Sequence, residues 1–114
     1  MIEERLLEYL SKKLDVPVYL EERDPLPVSY VTIENTGGAQ GKFLQHTMVS
    51  VKTYGPSLYE AADLAKDVRT WMLDFANEQN ISACDLNAGP YNFTDTSTKR
   101  YRYQAVYDIT YMED

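Results

Sequence analysis

The sequence has little of what most catalytic and metal-binding sites use. It contains one cysteine, Cys84, and one histidine, His46. A single cysteine cannot form an internal disulfide, so the fold does not depend on an oxidising compartment. No Cys-x-x-Cys or His-x-x-x-His spacing is present, and the lone histidine has no marked partner to activate. We therefore expect no enzymatic activity, no cofactor and no metal site, with Cys84 as a small core residue.

Long apolar runs and an excess of basic charge are also missing. No stretch approaches the ~20 apolar residues of a membrane helix or resembles a signal peptide, so we expect the chain to stay in the cytoplasm where it is made. The net charge is -7, from 18 acidic and 11 basic residues. Proteins that grip DNA phosphates usually present a clustered basic surface. An acidic chain suits instead a surface that DNA passes without adhering.

Tyrosine is the residue that the sequence has in excess. There are 10 tyrosines against 3 phenylalanines and 1 tryptophan. Tyrosine is amphipathic and suits surfaces that are wet in one state and buried in another. Aromatic residues are also common in strands of β-rich proteins. The excess is therefore compatible both with an interface and with ordinary strand composition.

Hydrophobic periodicity predicts two helices. The first spans residues 2–14, where apolar residues recur at four-residue spacing before Pro17 stops the helix. The second begins after Ser57, which forms a capping box with Glu60, and runs to about Glu78. Each helix has one apolar face, as expected of helices that pack on a sheet.

Strand-forming segments alternate with these helices. They cover residues 16–21, 28–34, 44–54, 81–86 and 100–112. Pro17 makes the first of them an edge strand or a strand start, and polar connections are expected at 23–27 and 87–98. The order predicts one α+β domain over residues 1–114. Its sheet is mostly antiparallel and four- to five-stranded, with two helices packed on one face.

The candidate interface is the small-residue segment 35–41. Gly37, Gly38 and Gly41 surround Ala39 and Gln40 and leave almost no side-chain volume, which predicts a flexible hairpin tip. A phosphate loop is disfavoured, because a strand rather than a helix follows and the Gly-Lys-Ser/Thr ending is absent. We interpret Gly37, Gly38, Gln40 and Gly41 as an assembly-interface loop that orders against a partner. A bare hairpin is the alternative.

Basic and aromatic residues alternate from Lys99 to Tyr103. Such a run can form a nucleic-acid surface. In a strand, however, successive side chains point to opposite faces, which separates Arg100 and Arg102 from the tyrosines. The pattern therefore favours a solvated sheet face over a nucleic-acid interface.

Three groups of strings span the strands and the second helix. They are Val31-Thr32-Ile33-Glu34 with Thr36-Gly37-Gly38, Val51-Lys52-Thr53-Tyr54-Gly55 with Ser57 and Glu60-Ala61-Ala62, and Tyr101-Arg102-Tyr103-Gln104-Ala105-Val106-Tyr107-Asp108-Ile109. These strings and the element order resemble the tail terminator proteins of long-tailed bacteriophages. The resemblance covers nearly the whole chain, and its motifs are structural rather than catalytic.

The resemblance implies a structural virion protein. Its members form a six-fold ring that caps the tail tube, ends tail polymerisation and provides the head-docking surface. The implied partners are further copies of the chain, the tail tube protein and a head-completion or connector protein, without a membrane. DNA would pass through without specific binding. The implied location is the head-proximal end of the tail in the virion, after the host cytoplasm. The alternatives are another head–tail connector or tail-tube protein, or a small ligand-binding or enzymatic α+β domain.

Overall fold

A computed structural model describes residues 1–21, 27–41, 43–97 and 100–112, with only the backbone of Gln40. The helices are α1 (Ile2–Lys13) and α2 (Leu58–Asp74), and a short 3-10 turn (Phe75–Asn77) follows α2. The strands are β1 (Val18–Tyr19), β2 (Tyr30–Gln40), β3 (Gln45–Gly55), β4 (Ile81–Asn92) and β5 (Tyr101–Tyr111).

Both helices form where local signals predicted them. The Ser57 hydroxyl accepts a hydrogen bond from the Glu60 N–H at 3.1 Å, so the capping box starts α2. The α-helix ends at Asp74, earlier than predicted, because the chain tightens into the 3-10 turn. α1 ends at Lys13, and the backbone at Leu14 is already extended. The two helix predictions are confirmed, with small shifts at the C-terminal ends.

The strands form one five-stranded sheet in the order β1-β2-β3-β5-β4. β1 runs parallel to β2, and the other three neighbouring pairs are antiparallel. The predicted mostly antiparallel α+β fold is therefore confirmed. The predicted strand 16–21 is shorter than expected, since only Val18 and Tyr19 pair with β2 at the sheet edge.

One hydrophobic cluster joins the two helices to one face of the sheet, here called the helix-covered face. Its most deeply buried members are Leu6, Leu10, Val31, Ile33, Val49, Val51, Val68, Met72, Phe75, Tyr107 and Ile109. Both helices lie on this face, as predicted. The other side, here called the open face, has no helix on it in the part of the chain that the structure describes.

The predicted hairpin tip at 35–41 is wrong in its extent, because β2 continues to Gln40. Residues from Gly37 to Gln40 pair with β3, down to Gln40 opposite Gln45. A β-bulge between Asn35 and Gly37 interrupts the ladder, and Gly37 has a φ of 135°, which glycine adopts at no steric cost. Ladder hydrogen bonds need no side-chain volume, so the small residues extend the strand as far as the pair of Gln40 with Gln45.

The predicted loop at 87–98 is likewise wrong over its first half, because β4 runs to Asn92 at the sheet edge. Its register against β5 shifts between Ile81 and Ala83, between Leu86 and Ala88, and between Ala88 and Tyr91. A bulge adds an extra residue to one strand and so interrupts the alternation of apolar and polar side chains. For this reason the sequence pattern did not predict a strand here. Residue 98 and most of the predicted turn 23–27 lie outside the described residues.

A hydrogen bond ties the two helical segments together. The Tyr9 hydroxyl donates to Asp74 Oδ2 at 2.6 Å. Burial, followed by this bond, raises the pKa of Tyr9, while the same bond is the main reason that the pKa of Asp74 is lowered. Among the described residues, no helix is long and apolar enough to cross a membrane.

Candidate functional site

The predicted interface residues lie at the turn end of the β2–β3 hairpin, and the described residues 34–41 and 43–48 are here called the arm. On β2, Val31 and Ile33 are buried under the helices, whereas every residue from Glu34 to Ala39 is exposed. The molecule measures 44 by 24 by 24 Å, and its long axis follows the strands, since eleven residues span about 36 Å. The arm therefore forms one end of an elongated molecule.

The glycines of the arm have backbone roles that the sequence did not reveal. A Cβ atom on Gly38 would clash with the carbonyl oxygen of His46 on the paired strand. The N–H of Gly41 donates to the Leu44 carbonyl at 2.9 Å and closes the turn. Asn35 Oδ1 accepts from the N–H of Gly37 at 2.9 Å and holds the bulge. These contacts build a defined β-ribbon, and they leave the interface role of Gly37, Gly38, Gln40 and Gly41 as a prediction.

The base of the arm is fastened to β5. Thr47 and Tyr111 share a buried hydrogen bond between their hydroxyls at 3.3 Å. One residue nearer the turn, the exposed His46 places Nδ1 3.1 Å from the Thr110 hydroxyl. The arm is thus supported by β5 on one side, while the outer edge of β2 beyond Ile33 faces away from the sheet.

The turn of the arm carries apolar side chains. Phe43 is 74% exposed and Leu44 is 38% exposed. Met112, which follows the residue paired with Gln45, is 50% exposed at the same end of the sheet. Contiguous exposed apolar side chains on a small protein often mark an interaction site. These three residues, here called the tip, are a stronger interface signal than the glycines beside them.

A row of rings and a cation crosses the open face at the opposite end of the sheet. Tyr30 and Tyr54 stack with centroids 4.1 Å apart and planes 7° apart. The Arg102 guanidinium lies 6.0 Å from the Tyr54 ring and 4.7 Å from the Phe93 ring. Lys52 Nζ lies 5.6 Å from the Phe93 ring. This cation–aromatic row links four segments of the chain, and Lys52 Nζ also lies 3.9 Å from Glu34 Oε2.

The row changes the interpretation of the basic run at 99–103. As predicted, Arg102 and Tyr103 point to opposite faces, but Arg102 meets Tyr54 and Phe93, which come from other segments. Its Nε donates to the Phe93 carbonyl at 2.6 Å. The guanidinium is thus used within the chain, which favours a structural role over nucleic-acid stacking. Lys99 lies outside the described residues.

An open hollow of about 230 Å³ lies beside the row. Its lining includes Val28, Tyr30, Tyr54, Pro56, Arg100 and Tyr101. Val28 is 69% exposed at the hollow, and Arg100 Nη1 donates to the Tyr30 hydroxyl at 3.3 Å. The hollow is smaller than the roughly 300–1,000 Å³ of typical small-molecule sites, and its lining suits a single apolar side chain.

The other residues considered for chemistry lie apart from both ends. Cys84 is buried in the core, and burial raises the pKa of its thiol to about 12. A thiol held in its neutral form is a poor nucleophile and a poor metal ligand. Within residues 1–21, 27–41, 43–97 and 100–112, no three His, Cys, Asp or Glu side chains gather into a metal-binding group.

Comparison with known proteins assigns no family. No protein-family model matches the sequence, and no curated protein matches it significantly.

Proposed function

We propose that the chain is a structural virion protein of a long-tailed bacteriophage. It forms a ring, with six copies expected, on the head-proximal end of the tail tube. There it ends tail polymerisation and provides the surface on which the head docks. The partners are further copies of the chain, the tail tube protein and a head-completion or connector protein. The proposal draws on the sequence strings from Val31 to Gly38, from Val51 to Ala62 and from Tyr101 to Ile109.

The arm is the observation that carries this proposal. In the arm, the β2 residues from Glu34 to Ala39 are exposed, whereas the β3 residues pair with β5 and Thr47 is buried. The same ribbon is useful in an assembly, because it reaches a neighbouring subunit or a tube end while the core stays intact. The apolar tip at Phe43 and Leu44 supplies the buried contact that such a reach requires.

The charge of the chain fits a ring through which DNA moves. The net charge is -7, and Lys52 and Arg102 already contact aromatic rings of the same chain. Phosphate binding needs several converging cations, and each adds salt-dependent affinity. We expect no duplex binding in a gel-shift titration at low salt. Micromolar binding that weakens steeply with added salt would contradict the proposed conduit.

Capping of purified tail tubes tests the function directly. Tubes assembled without a terminator are incubated with the protein and imaged by electron microscopy. The expected result is a ring at one end of each tube and an arrest of further tube growth. Rings on head portals but not on tubes would favour a connector, and incorporation along the tube would favour a tube subunit. Absence of any ordered binding would contradict the proposal.

A shortened arm provides the matched variant. Ala39 pairs with His46 and Gln40 pairs with Gln45, so removing these four residues deletes two ladder positions from each strand. The arm becomes shorter by about 7 Å, and the alternation of faces is preserved. We expect a loss of capping and only a small fall in melting temperature, because the bond between His46 and Thr110 is also removed. Normal capping by this variant would remove the arm from the proposed mechanism.

A further inference from the structure

We propose that the outer edge of the arm binds an extended segment of a partner protein, which adds to β2 as a further strand beside Gly38 and Gln40. The segment is uncharged where it crosses the arm, and it carries an aromatic side chain beside the glycines. The inference goes beyond the proposed function by naming how the arm binds. Its test needs no tail tubes, so the inference and the proposed function can fail separately.

The outer edge of β2 is uncovered along the arm. β1 pairs only with Val31 and Thr32, near the start of β2. Within the described ranges of the chain, no strand pairs with this edge beyond Thr32. A strand at the edge of a sheet presents backbone N–H and C=O groups that can pair with an added strand. The arm therefore offers hydrogen bonds to an extended backbone.

The turn shows which backbone groups of the arm point outwards. The Gly41 N–H donates to the Leu44 carbonyl across the turn, so it points towards β3. Backbone groups of successive residues in a strand point alternately to its two sides, so those of Gln40 and Gly38 point away from β3. The register against β3 does not shift between Gly37 and Gln40. The outward groups of these residues therefore form a regular row.

This part of the edge lacks the residues that block strand addition. Proline and charged side chains keep exposed edges from pairing, and neither occurs in residues 35–41. Of the charged residues beside them, Glu34 lies 3.9 Å from Lys52. Glu3 accepts a hydrogen bond from the arm, and Lys42 lies outside the described residues. A segment paired with residues 35–41 therefore needs no charge of its own.

An open groove of about 270 Å³ lies over the small residues of the arm. Its lining includes Asn35, Gly37, Gly38, Gln45, Thr47 and Tyr111, and no Asp, Glu, Lys or Arg of the described chain lines it. Side-chain contacts between neighbouring strands stabilise a sheet. An aromatic side chain on one strand can cover a glycine on the edge strand beside it. The groove therefore favours a partner segment with an aromatic residue next to the glycines.

A second copy of this chain is a poor occupant of the edge. If the β2 edges of two copies paired, the glycine-rich residues of one would face those of the other. Backbone hydrogen bonds would form, but few side-chain contacts would stabilise the pair. The other edge strand, β4, has three register shifts against β5 and is irregular. The composition of the two edges therefore favours a segment from a different protein.

Binding of a defined peptide tests the inference on the wild-type protein. The probe is Thr-Thr-Val-Phe-Val-Thr-Thr with both ends capped, and the backbone amide signals of the protein are followed by NMR during a titration. We expect saturable shifts and slower hydrogen exchange at Gly38 and Gln40, with the amides of α1 and α2 unchanged. The same peptide with alanine in place of phenylalanine should bind about tenfold more weakly, because the ring is no longer buried.

Two substitutions at Gln40 provide a matched pair of protein variants. Gln40→Pro removes an outward N–H without removing a bond to β3, so the fold should remain. Peptide binding should become about tenfold weaker, because an edge hydrogen bond is lost. Gln40→Ser keeps the N–H and should bind like the wild type. The amide spectrum of the core checks that both variants are folded.

The remaining outcomes contradict the inference. Arm amides that do not shift up to the solubility limit of the peptide would exclude strand addition, and so would equal binding by the two Gln40 variants. Equal binding of the phenylalanine and alanine peptides to the wild type would exclude the groove, whatever the fold of the variants. Capping of tail tubes without peptide binding would reject the inference and retain the proposed function. Peptide binding without capping would do the reverse.

Discussion

The two halves of the β2–β3 hairpin share one ladder and differ in what covers them. In the inner half, Val31 and Ile33 are buried beneath the helices. In the outer half, residues 34–39 of β2 are exposed, and the ladder to β3 together with a few side-chain hydrogen bonds holds the shape. The inner half therefore belongs to the cooperative core, whereas the outer half should respond locally to change. The inner half therefore contributes to the core, and the outer half is the part that the proposed function assigns to assembly.

The largest effect is expected in the inner half. Ile33→Ala removes a fully buried side chain between β2 and the helices. Loss of burial plus the residual cavity should lower the free energy of unfolding by about 2–5 kcal/mol, measured by urea denaturation. Thr36→Ala, three residues along the same strand and exposed, is the control and should cost less than about 1 kcal/mol. Equal losses at the two positions would contradict the division into halves.

A clash in the outer half should have a smaller and more local effect. Gly38→Ala drives a Cβ atom into the His46 carbonyl, so the paired strands must separate. We expect a local cost of about 1–3 kcal/mol, seen as faster hydrogen exchange of arm amides with little change in the core. Ala39→Ser is the matched control. If the core amides lost protection to the same degree, the arm would be part of the cooperative unit.

The boundary between the halves is held by Asn35. Its Oδ1 accepts from the Gly37 N–H, and its Nδ2 donates to Glu3 Oε1 at 3.2 Å. Asn35→Ala removes both bonds at an exposed site, and the expected loss is about 0.5–1.5 kcal/mol of unfolding free energy. Asn35→Asp keeps the acceptor for Gly37 but places a carboxylate beside Glu3, so it should fall between wild type and alanine. A neutral alanine variant would remove Asn35 from the support of the bulge.

The smallest effect on stability is expected at the tip. Phe43→Ser changes an exposed side chain, so the free energy of unfolding should stay within about 0.5 kcal/mol of the wild type. Because the proposed function uses the tip as a contact, the same substitution should reduce the capping of tail tubes. A loss of stability comparable to that of Ile33→Ala would mean that Phe43 supports the fold instead.

Local signals explain which parts of the fold the sequence predicted. The capping box of Ser57 and Glu60 and the alternation of β5 are patterns of residues that are close in the sequence, so both could be predicted from it. The outer half of β2 was predicted as a turn because its residues are small. Backbone hydrogen bonds hold it as a strand, and these do not require particular side chains. β4 beyond Leu86 was missed because its bulges break the two-residue period.

The side chains of the cation–aromatic row come from several segments, so their contacts could not be predicted from the sequence of any one strand. The contact of Arg102 with Tyr54 and Phe93 needs the register of β3 against β5 and of the segment beyond β4. The sequence contains the apolar residues of the tip as Phe43 and Leu44, next to the glycines of the arm. The available signal was an apolar pair directly after the predicted hairpin tip at 35–41, where the predicted strand 44–54 begins.

The irregular edge at β4 has a consequence for the unassembled protein. Three register shifts and Pro90, which has no N–H to donate, interrupt the row of outward backbone groups. A smooth edge of twelve residues would invite lateral stacking into fibrils whenever many copies accumulate before use. The interrupted edge at β4 therefore disfavours sideways stacking through this strand.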